Sequence, residues 1–291
     1  MPDALFPGFI QYEPADPFEE YAGPFWYRKA ETRAQARMLP GQQHLNSGGM
    51  VHGGLLMSFA DYVLATAAGA TEAKFALTVA LTCQFLNAGR PGVPIEAEAE
   101  EIRAGKTLSF VRGTVSQEGK ILLACSGTFR PLQRDKALAG RQEPAALKLS
   151  DREEPPANFK FVERDSPFLK HVGDSFVGER NGRRTIVQPT APHMLNNGGL
   201  MHGGMLMNFA DNAFCTEIAI ATGGKAPITT TFTAEFLNAG RFGPLLESEV
   251  ESLKISERSA FVRGLVTQAG AKLLSYSAMI TLMDRKALRA P

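Results

Sequence analysis

Two stretches of the chain are apolar at nearly every position. After His52 the sequence reads GGLLMSFADYVLATAAGA, and after His202 it reads GGMLMNFADNAFCTEIAIATGG. A helix without a polar face is either buried in a protein core or spans a membrane. Each run is short for a span and carries an aspartate in its middle, so the pattern predicts two buried helices.

Strand patterns follow each of these helices. Residues 75–87 and 228–238 alternate apolar with small polar residues. The run IEAEAEEI, within 94–117, places Glu96, Glu98 and Glu100 on the solvent face. Such alternation is typical of antiparallel strands with one solvated face. A turn at 117–119 leads into the strand ILLACSGTF, and a matching turn lies at 268–270. The predicted class is therefore α+β, with antiparallel strands after one long helix in each half.

Shorter elements precede each long helix. A short helix is predicted in PADPFEEYAG near the start of the chain, and its counterpart is SPFLKHVG at 166–173. Short strands are expected at 25–38 and 175–189, where Asn181-Gly182 is a strong hairpin signal.

The two helices belong to an internal duplication. LNSGGMVHGGLLMSFAD at 45–61 and LNNGGLMHGGMLMNFAD at 195–211 match at twelve of seventeen positions, 150 residues apart. This period is the length of a small domain. We predict one domain at 1–142, a second at 158–291, and a connection at 143–157, where Pro, Ala and charges break the periodicity.

Composition narrows the classes of function. The chain has 291 residues, 44% hydrophobic and 21% charged, as expected of a soluble globular protein. A net charge of +1 without a basic block argues against a nucleic-acid groove. The first residues lack a cationic segment and an apolar core, so no signal peptide is predicted. Cys83, Cys125 and Cys215 lie in apolar contexts without metal spacing, which predicts reduced core thiols, no metal and a cytoplasmic location.

Polar groups at fixed places on the two helices are candidates for chemistry. The first turn of each helix has unpaired N–H donors and a partial positive charge, suited to a carbonyl oxygen that gains negative charge. Asp61 and Asp211 lie inside apolar helices, where an unpaired carboxylate is costly to bury. The alternatives are that each Asp is a satisfied interface carboxylate and that His52 and His202 only order the turn before the helix.

The helix geometry adds a constraint. Gly53 and Asp61 are eight residues apart, about 12 Å along the axis at ~1.5 Å per residue. One reacting group therefore cannot touch both. If the two helices lie antiparallel, Gly53 faces Asp211 and Gly203 faces Asp61, and each site is assembled from both halves.

This pattern resembles the hot-dog-fold thioesterases of the phenylacetate-degradation (PaaI-like) group. The likeness extends over most of each half, through FLNAGR at 85–90 and 236–241. The resemblance implies a double hot-dog, in which two copies of a long buried helix wrapped by an antiparallel sheet pair as a pseudo-dimer. It also implies an acyl-CoA thioesterase that releases free acid and coenzyme A (CoA) from an acyl- or aryl-CoA. No cofactor is expected, because CoA is part of the substrate.

The resemblance also assigns roles to residues. Helix-terminal amides and the loop Asn would hold the carbonyl, an Asp from the other half would act as base or nucleophile, and a strand Thr would orient water. The catalytic residues implied are Asn46, Gly53, Asp61, Thr78, Asn196, Gly203, Asp211 and Thr229. The substrate-binding residues implied are His52, Gly54, Arg90, Lys106, His202, Gly204 and Arg241. For the two Thr the alternative is an ordinary strand role, and for Arg90 and Arg241 a solvated turn.

Some alternatives stay open. The second half has Ser256-Glu257-Arg258 where the first has Gly105-Lys106-Thr107, so equal CoA binding at both sites is not expected. A hydratase or dehydratase would need His52 and His202 as catalytic groups, and a non-catalytic acyl-CoA binder would need no chemistry. We expect no nucleic-acid or membrane partner, and further association of chains into dimers or trimers is left open.

Overall fold

The computed structural model describes residues 6–13, 16–69, 74–133 and 146–284, and each half contains one short and one long helix. The helices are α1 (Pro17–Ala22), α2 (Gly53–Ala67), α3 (Pro167–Val172) and α4 (Gly203–Ala221). The predicted short and long helices of both halves are confirmed. None of the helices in these ranges is long and apolar enough to cross a membrane.

The strands form one antiparallel sheet. They are β1 (Trp26–Ala30), β2 (Arg33–Met38), β3 (Lys74–Phe85), β4 (Ile95–Ala104), β5 (Ser109–Gln117), β6 (Lys120–Gln133), β7 (Lys160–Phe161), β8 (Phe176–Arg180), β9 (Arg183–Gln188), β10 (Ala226–Phe236), β11 (Leu246–Ile255), β12 (Ser259–Gln268) and β13 (Ala271–Met283). Their order across the described sheet is β1-β2-β4-β5-β6-β3-β10-β13-β12-β11-β9-β8-β7. The predicted antiparallel α+β pattern is confirmed in both halves.

Local sequence explains these elements. In β4, Ala97 is buried while Glu96 and Glu98 are exposed, as the alternation predicts. The hairpin between β8 and β9 turns at Asn181 and Gly182, which both have positive φ, at 53° and 73°. Two successive positive φ values match the type I′ turn that Asn-Gly favours.

The long helices lie in the core and contact each other. In α2 every residue except Gly53 and Ala65 is buried, which explains why the helix has no polar face. The α2–α4 contact includes a hydrogen bond from Asn208 Nδ2 to Ser58 Oγ, at 2.9 Å. Burial of this contact removes both apolar helices from water.

The halves are also joined through the sheet and the short helices. Strands β3 and β10 pair with Thr82 opposite Thr233, and their hydroxyl oxygens are 3.3 Å apart. Phe18 N, at the start of α1, donates to Leu195 O at 3.1 Å in the other half. Phe168 N, at the start of α3, donates to Leu45 O at 3.0 Å. Each short helix therefore docks on the loop that precedes the long helix of the opposite half.

The described part of the predicted connection, 146–157, packs against the second half. Glu153 N donates to Gly243 O at 2.7 Å, and Glu153 Oε2 accepts from Leu245 N at 3.2 Å. The predicted domain boundary at 142 lies outside the described residues, and the boundary at 158 stays a prediction. The three cysteines are free, and two of them, Cys83 and Cys125, are buried.

Candidate active site

A polar loop precedes each long helix, and an asparagine organises it. Asn46 Oδ1 accepts hydrogen bonds from the N–H groups of Gly48 and Met50, at 2.9 and 3.2 Å. Asn196 Oδ1 makes the equivalent bonds to the second loop, at 2.8 and 3.1 Å. These bonds occupy the amide oxygen, so the donor available for a substrate is the side-chain Nδ2 of each asparagine.

Each long helix begins with one free and one occupied amide. His52 Nδ1 accepts from Gly54 N at 3.0 Å, and His202 Nδ1 accepts from Gly204 N at 2.9 Å. Both histidines are therefore N-caps, the alternative left open by the sequence. Within the described part of the chain, the N–H groups of Gly53 and Gly203 have no acceptor, so they can bind a carbonyl oxygen.

The structure gives Gly54 and Gly204 a packing role, and their contact with substrate stays a prediction. Their N–H groups are taken by the histidines, and both glycines face the crossing of the two helices. A Cβ built on Gly54 would lie 1.7 Å from Asn208 Oδ1, and one on Gly204 would lie 2.7 Å from Ser58 Oγ. These glycines thus allow close helix packing, one of the roles that a missing side chain makes possible.

A carboxylate in each long helix is bonded to the predicted strand threonine. Thr78 Oγ1 donates to Asp61 Oδ1, and Thr229 Oγ1 donates to Asp211 Oδ1, both at 2.7 Å. Both aspartates are 6% exposed. Burial raises the pKa of both carboxyls, that of Asp211 to about 6, although the bond from Thr229 opposes the rise.

The carboxylate of one half meets the helix start of the other. A Cβ built on Gly203 would lie 3.4 Å from Asp61 Oδ2, so this aspartate lies beside Gly203, whose N–H is free. Arg164 Nη2 donates to Asn212 O at 3.3 Å, next to the second aspartate on α4. Its positive charge adds to the lowering of the His52 pKa by burial, and it partly opposes the burial that raises the pKa of Asp211. The structure thus brings together Asp61, Thr78 and Gly203, as the antiparallel arrangement predicts.

An aromatic ring packs against the first glycine of each long helix. A Cβ on Gly53 would be 3.1 Å from Phe85 Cε1, and one on Gly203 would be 3.2 Å from Phe236 Cε1. These rings end β3 and β10 in the repeated FLNAGR segment. A side chain at either glycine would be crowded by these rings, so the close packing favours glycine at both positions.

The environments of the two capping histidines differ. His202 Nε2 lies 3.5 Å from Glu19 Oε1, and Asp16 Oδ2 accepts from Asn197 N at 3.0 Å. Burial lowers the pKa of His202, but Asp16 and Glu19 outweigh it and raise the pKa to about 9. Burial and Arg164 instead lower the pKa of His52 to about 3.

One group among the described residues has the spacing of metal ligands. Potential ligand atoms of Asp16, Glu19 and His202 lie within 4.8 Å of one another. However, both Asp16 oxygens already accept backbone N–H bonds, from Phe18 and Asn197. The packing of α1 on the loop before α4 therefore explains why these three side chains are close together, and we assign no cation to them.

The predicted basic residues lie on exposed turns. The Arg90 side chain pairs with Glu118, while the backbone N–H of Arg90 donates to Gln117 Oε1 at 2.9 Å. Arg241 and Lys106 are exposed. Val51 N donates to Gly89 O at 2.9 Å, which places the first FLNAGR turn beside the loop before α2. A role for the three basic side chains in CoA binding stays a prediction.

Sequence reasoning missed the charged residues that come from the short helices and from the segment before α3. Asp16, Glu19 and Arg164 are not repeated between the halves, so the duplication did not indicate them. The only local signal was the acidic start of α1, and it does not say which surface the helix contacts.

Comparison with known proteins agrees with this geometry. Residues 42–130 match the family described as "Acyl-CoA thioesterase N-terminal domain", and residues 198–275 match "Thioesterase superfamily". The chain is 28% identical over 106 residues to a protein of Archaeoglobus fulgidus named "Putative esterase", covering 36% of this chain and 68% of that protein.

Solved structures share the fold over nearly the whole chain. An acyl-CoA thioesterase II from Mycobacterium marinum aligns with a TM-score of 0.64 at 14% identity, over 93% of this chain and 99% of that one. A protein described as having a hot dog fold, from Alicyclobacillus acidocaldarius, aligns with a TM-score of 0.64 at 14% identity, over 97% and 100%.

The fold is thus that of the hot-dog thioesterases, with a large antiparallel sheet and few helices. The chain carries two thioesterase domains of this superfamily in tandem. It is a hydrolase that acts on thioesters. The assignment to the PaaI-like group stays a prediction.

Proposed function

We propose that the protein hydrolyses acyl- or aryl-CoA thioesters to a free acid and CoA, at two sites that are each shared between the halves. The supporting observation is the arrangement of Asp61, bonded to Thr78, opposite the free amide of Gly203. A carbonyl polarised by one half would then lie within reach of the carboxylate of the other.

The proposed chemistry needs three groups in each site. The thioester oxygen accepts hydrogen bonds from Gly203 N and from Asn196 Nδ2, which stabilise the negative charge that develops on it. The positive end of α4 adds to this stabilisation. Asp61 takes a proton from water while the water oxygen bonds to the carbonyl carbon, or Asp61 attacks that carbon itself and water then hydrolyses the anhydride. The C–S bond breaks, and CoA leaves as a thiolate that takes up a proton.

The second site would use the equivalent groups, with Gly53 and Asn46 as donors and Asp211 as the carboxylate. The pKa of Asp211, raised to about 6 by burial, leaves it ionised at neutral pH and more basic than an ordinary aspartate. A base with a pKa near the working pH is the most effective one.

A thiol-release assay over a panel of acyl- and aryl-CoA substrates tests the proposal. We expect release of one thiol per acid formed, with water as the only co-substrate. Hydration of an enoyl-CoA without thiol release would instead support the hydratase alternative. Binding without turnover would support the acyl-CoA carrier.

Variants then test the assignment of the carboxylates. The double variant Asp61→Asn/Asp211→Asn should lose nearly all activity, while either single variant keeps one site. Asp151→Asn, at an exposed position, is the matched control and should behave like the wild type. Retained turnover in the double variant would show that these two carboxylates are not the catalytic groups.

A further inference from the structure

The two sites differ in the charges that the short helices bring to them. Beside the Asp61 site, α1 and its N-cap contribute Glu19, which is half-buried, and Asp16, which is buried; both lie against the cap of α4. At the equivalent positions α3 offers Ser166 and Leu169, which are uncharged. The phenylalanine between them is kept, since Phe18 packs on His202 as Phe168 packs on His52. The packing of the short helix on the capping histidine is therefore repeated in both halves, whereas the acidic side chains are present only in α1 and its N-cap.

In the Asp61 site, acidic side chains outnumber basic ones. Its carboxyls are Asp16, Glu19 and Asp61, and the one basic side chain among these contacts is His202. Protonation of His202 would balance one carboxylate of the three. It would also compete with the helix cap, because His202 Nδ1 accepts the Gly204 N–H.

The Asp211 site has a cation instead. Arg164, just before α3, donates from Nη2 to Asn212 O at 3.3 Å and also to Thr216 Oγ1. Both partners lie on α4 within five residues of Asp211. The Nε of Arg164 is buried and has no partner within the described ranges, so one N–H donor of this guanidinium is left without a hydrogen bond.

We propose that the two sites are not equivalent, and that Asp16 and Glu19 make the Asp61 site the slower one while Arg164 favours the Asp211 site. This inference rests on the proposed thioesterase mechanism. Negative charge develops on the thioester oxygen at the transition state, and charges beside the donors act on it strongly in a water-poor site. Carboxylates at the start of α4 oppose that charge, whereas the guanidinium of Arg164, bonded to α4 next to Asp211, stabilises it. Glu19 and Arg164 act here as positioning and electrostatic residues.

Single-site variants measure the difference directly. Asp61→Asn leaves the Asp211 site, and Asp211→Asn leaves the Asp61 site. With one acyl-CoA substrate at pH 8, we expect kcat of Asp211→Asn to be at least about tenfold below that of Asp61→Asn. Equal kcat values for the two would overturn the inference, and the proposed function would be unaffected.

Because the two halves have equivalent positions, matched substitutions test whether the charge causes the difference in kcat. In the Asp211→Asn background, Glu19→Gln keeps the size and the hydrogen bond to His202 but removes the charge, and kcat should rise several-fold. In the Asp61→Asn background, Leu169→Glu introduces the charge at the equivalent position, and kcat should fall. Structural damage cannot produce the expected gain, so a rise in kcat with little change in KM separates electrostatics from folding. No gain from Glu19→Gln would overturn the role of Glu19.

The failure of the inference differs from the failure of the proposed function. If Asp61→Asn/Asp211→Asn retains turnover, the carboxylates are misassigned and both proposals fall. If that double variant is inactive while the exchanges have no effect, only the inequality of the sites is refuted.

Discussion

Replacing Gly54 by alanine should destabilise the protein through the contact between α2 and α4. The added methyl would lie 1.7 Å from Asn208 Oδ1 and 2.9 Å from Asn208 Cγ, well inside ordinary contact distances of 3.4–4 Å. Asn208 is 1% exposed and is held by bonds from its Nδ2 to Ser58 Oγ and Gly204 O, at 2.9 and 2.8 Å. It cannot move aside without losing these bonds.

The magnitude follows from two opposing effects. Overpacking a core costs about 1–3 kcal/mol, and each buried hydrogen bond that is lost costs about 1 kcal/mol more. Alanine gains at most about 1 kcal/mol over glycine from its helix preference, and less at the second helical position than in the interior. We therefore expect Gly54→Ala to lower the free energy of unfolding by about 1–3 kcal/mol.

Urea unfolding followed by circular dichroism measures this change. In an Asn208→Ala background the two closest atoms are absent and only His52 Nδ1, at 3.1 Å, remains close, so Gly54→Ala should cost much less there. The two backgrounds form a double-mutant cycle that isolates the contact. An equal cost of Gly54→Ala in both backgrounds would refute the helix-contact explanation.

The remaining predictions concern the donors and the carboxylate. In Asp61→Asn, kcat/KM should fall as pH drops through about 6, where Asp211 takes up a proton and stops acting as a base; a flat pH profile would contradict this. Thr229→Val removes a bond that opposes the raised pKa, so the same limb of the profile should move to higher pH. Because the folded-state pKa of Asp211 is raised from 3.8 to about 6, stability should fall as pH rises through that window, and Asp211→Asn should lose this dependence in pH-dependent unfolding. Asn46→Ala with Asn196→Ala should lower kcat about 100-fold, and an unchanged kcat would exclude both as donors.

The repeated parts of the fold could be predicted because they are written twice. The apolar helices and the strands that follow them depend on patterns present in both halves, and the Asn181-Gly182 hairpin depends on a local turn signal of the second half. The nearness of Gly203 and Asp61 followed from helix length together with the condition that the helices lie antiparallel, since one helix could not bring Gly53 to Asp61. Local pattern and simple geometry were sufficient for these features.

The unrepeated parts could not be predicted. Glu19 reaches His202 only because α1 docks on the opposite half, a contact between residues far apart in sequence. The same is true of Arg164, whose partners are on α4. Gly54 was predicted to bind substrate because its missing side chain fits either a ligand or a neighbouring helix, and sequence does not distinguish these.

The joining of β3 to β10 within one polypeptide changes how such an enzyme can diversify. In an assembly of two identical chains, a single mutation alters both copies of every site. Here Glu19 and Leu169 are encoded by separate codons, so a mutation can change one catalytic site while the other site keeps its activity.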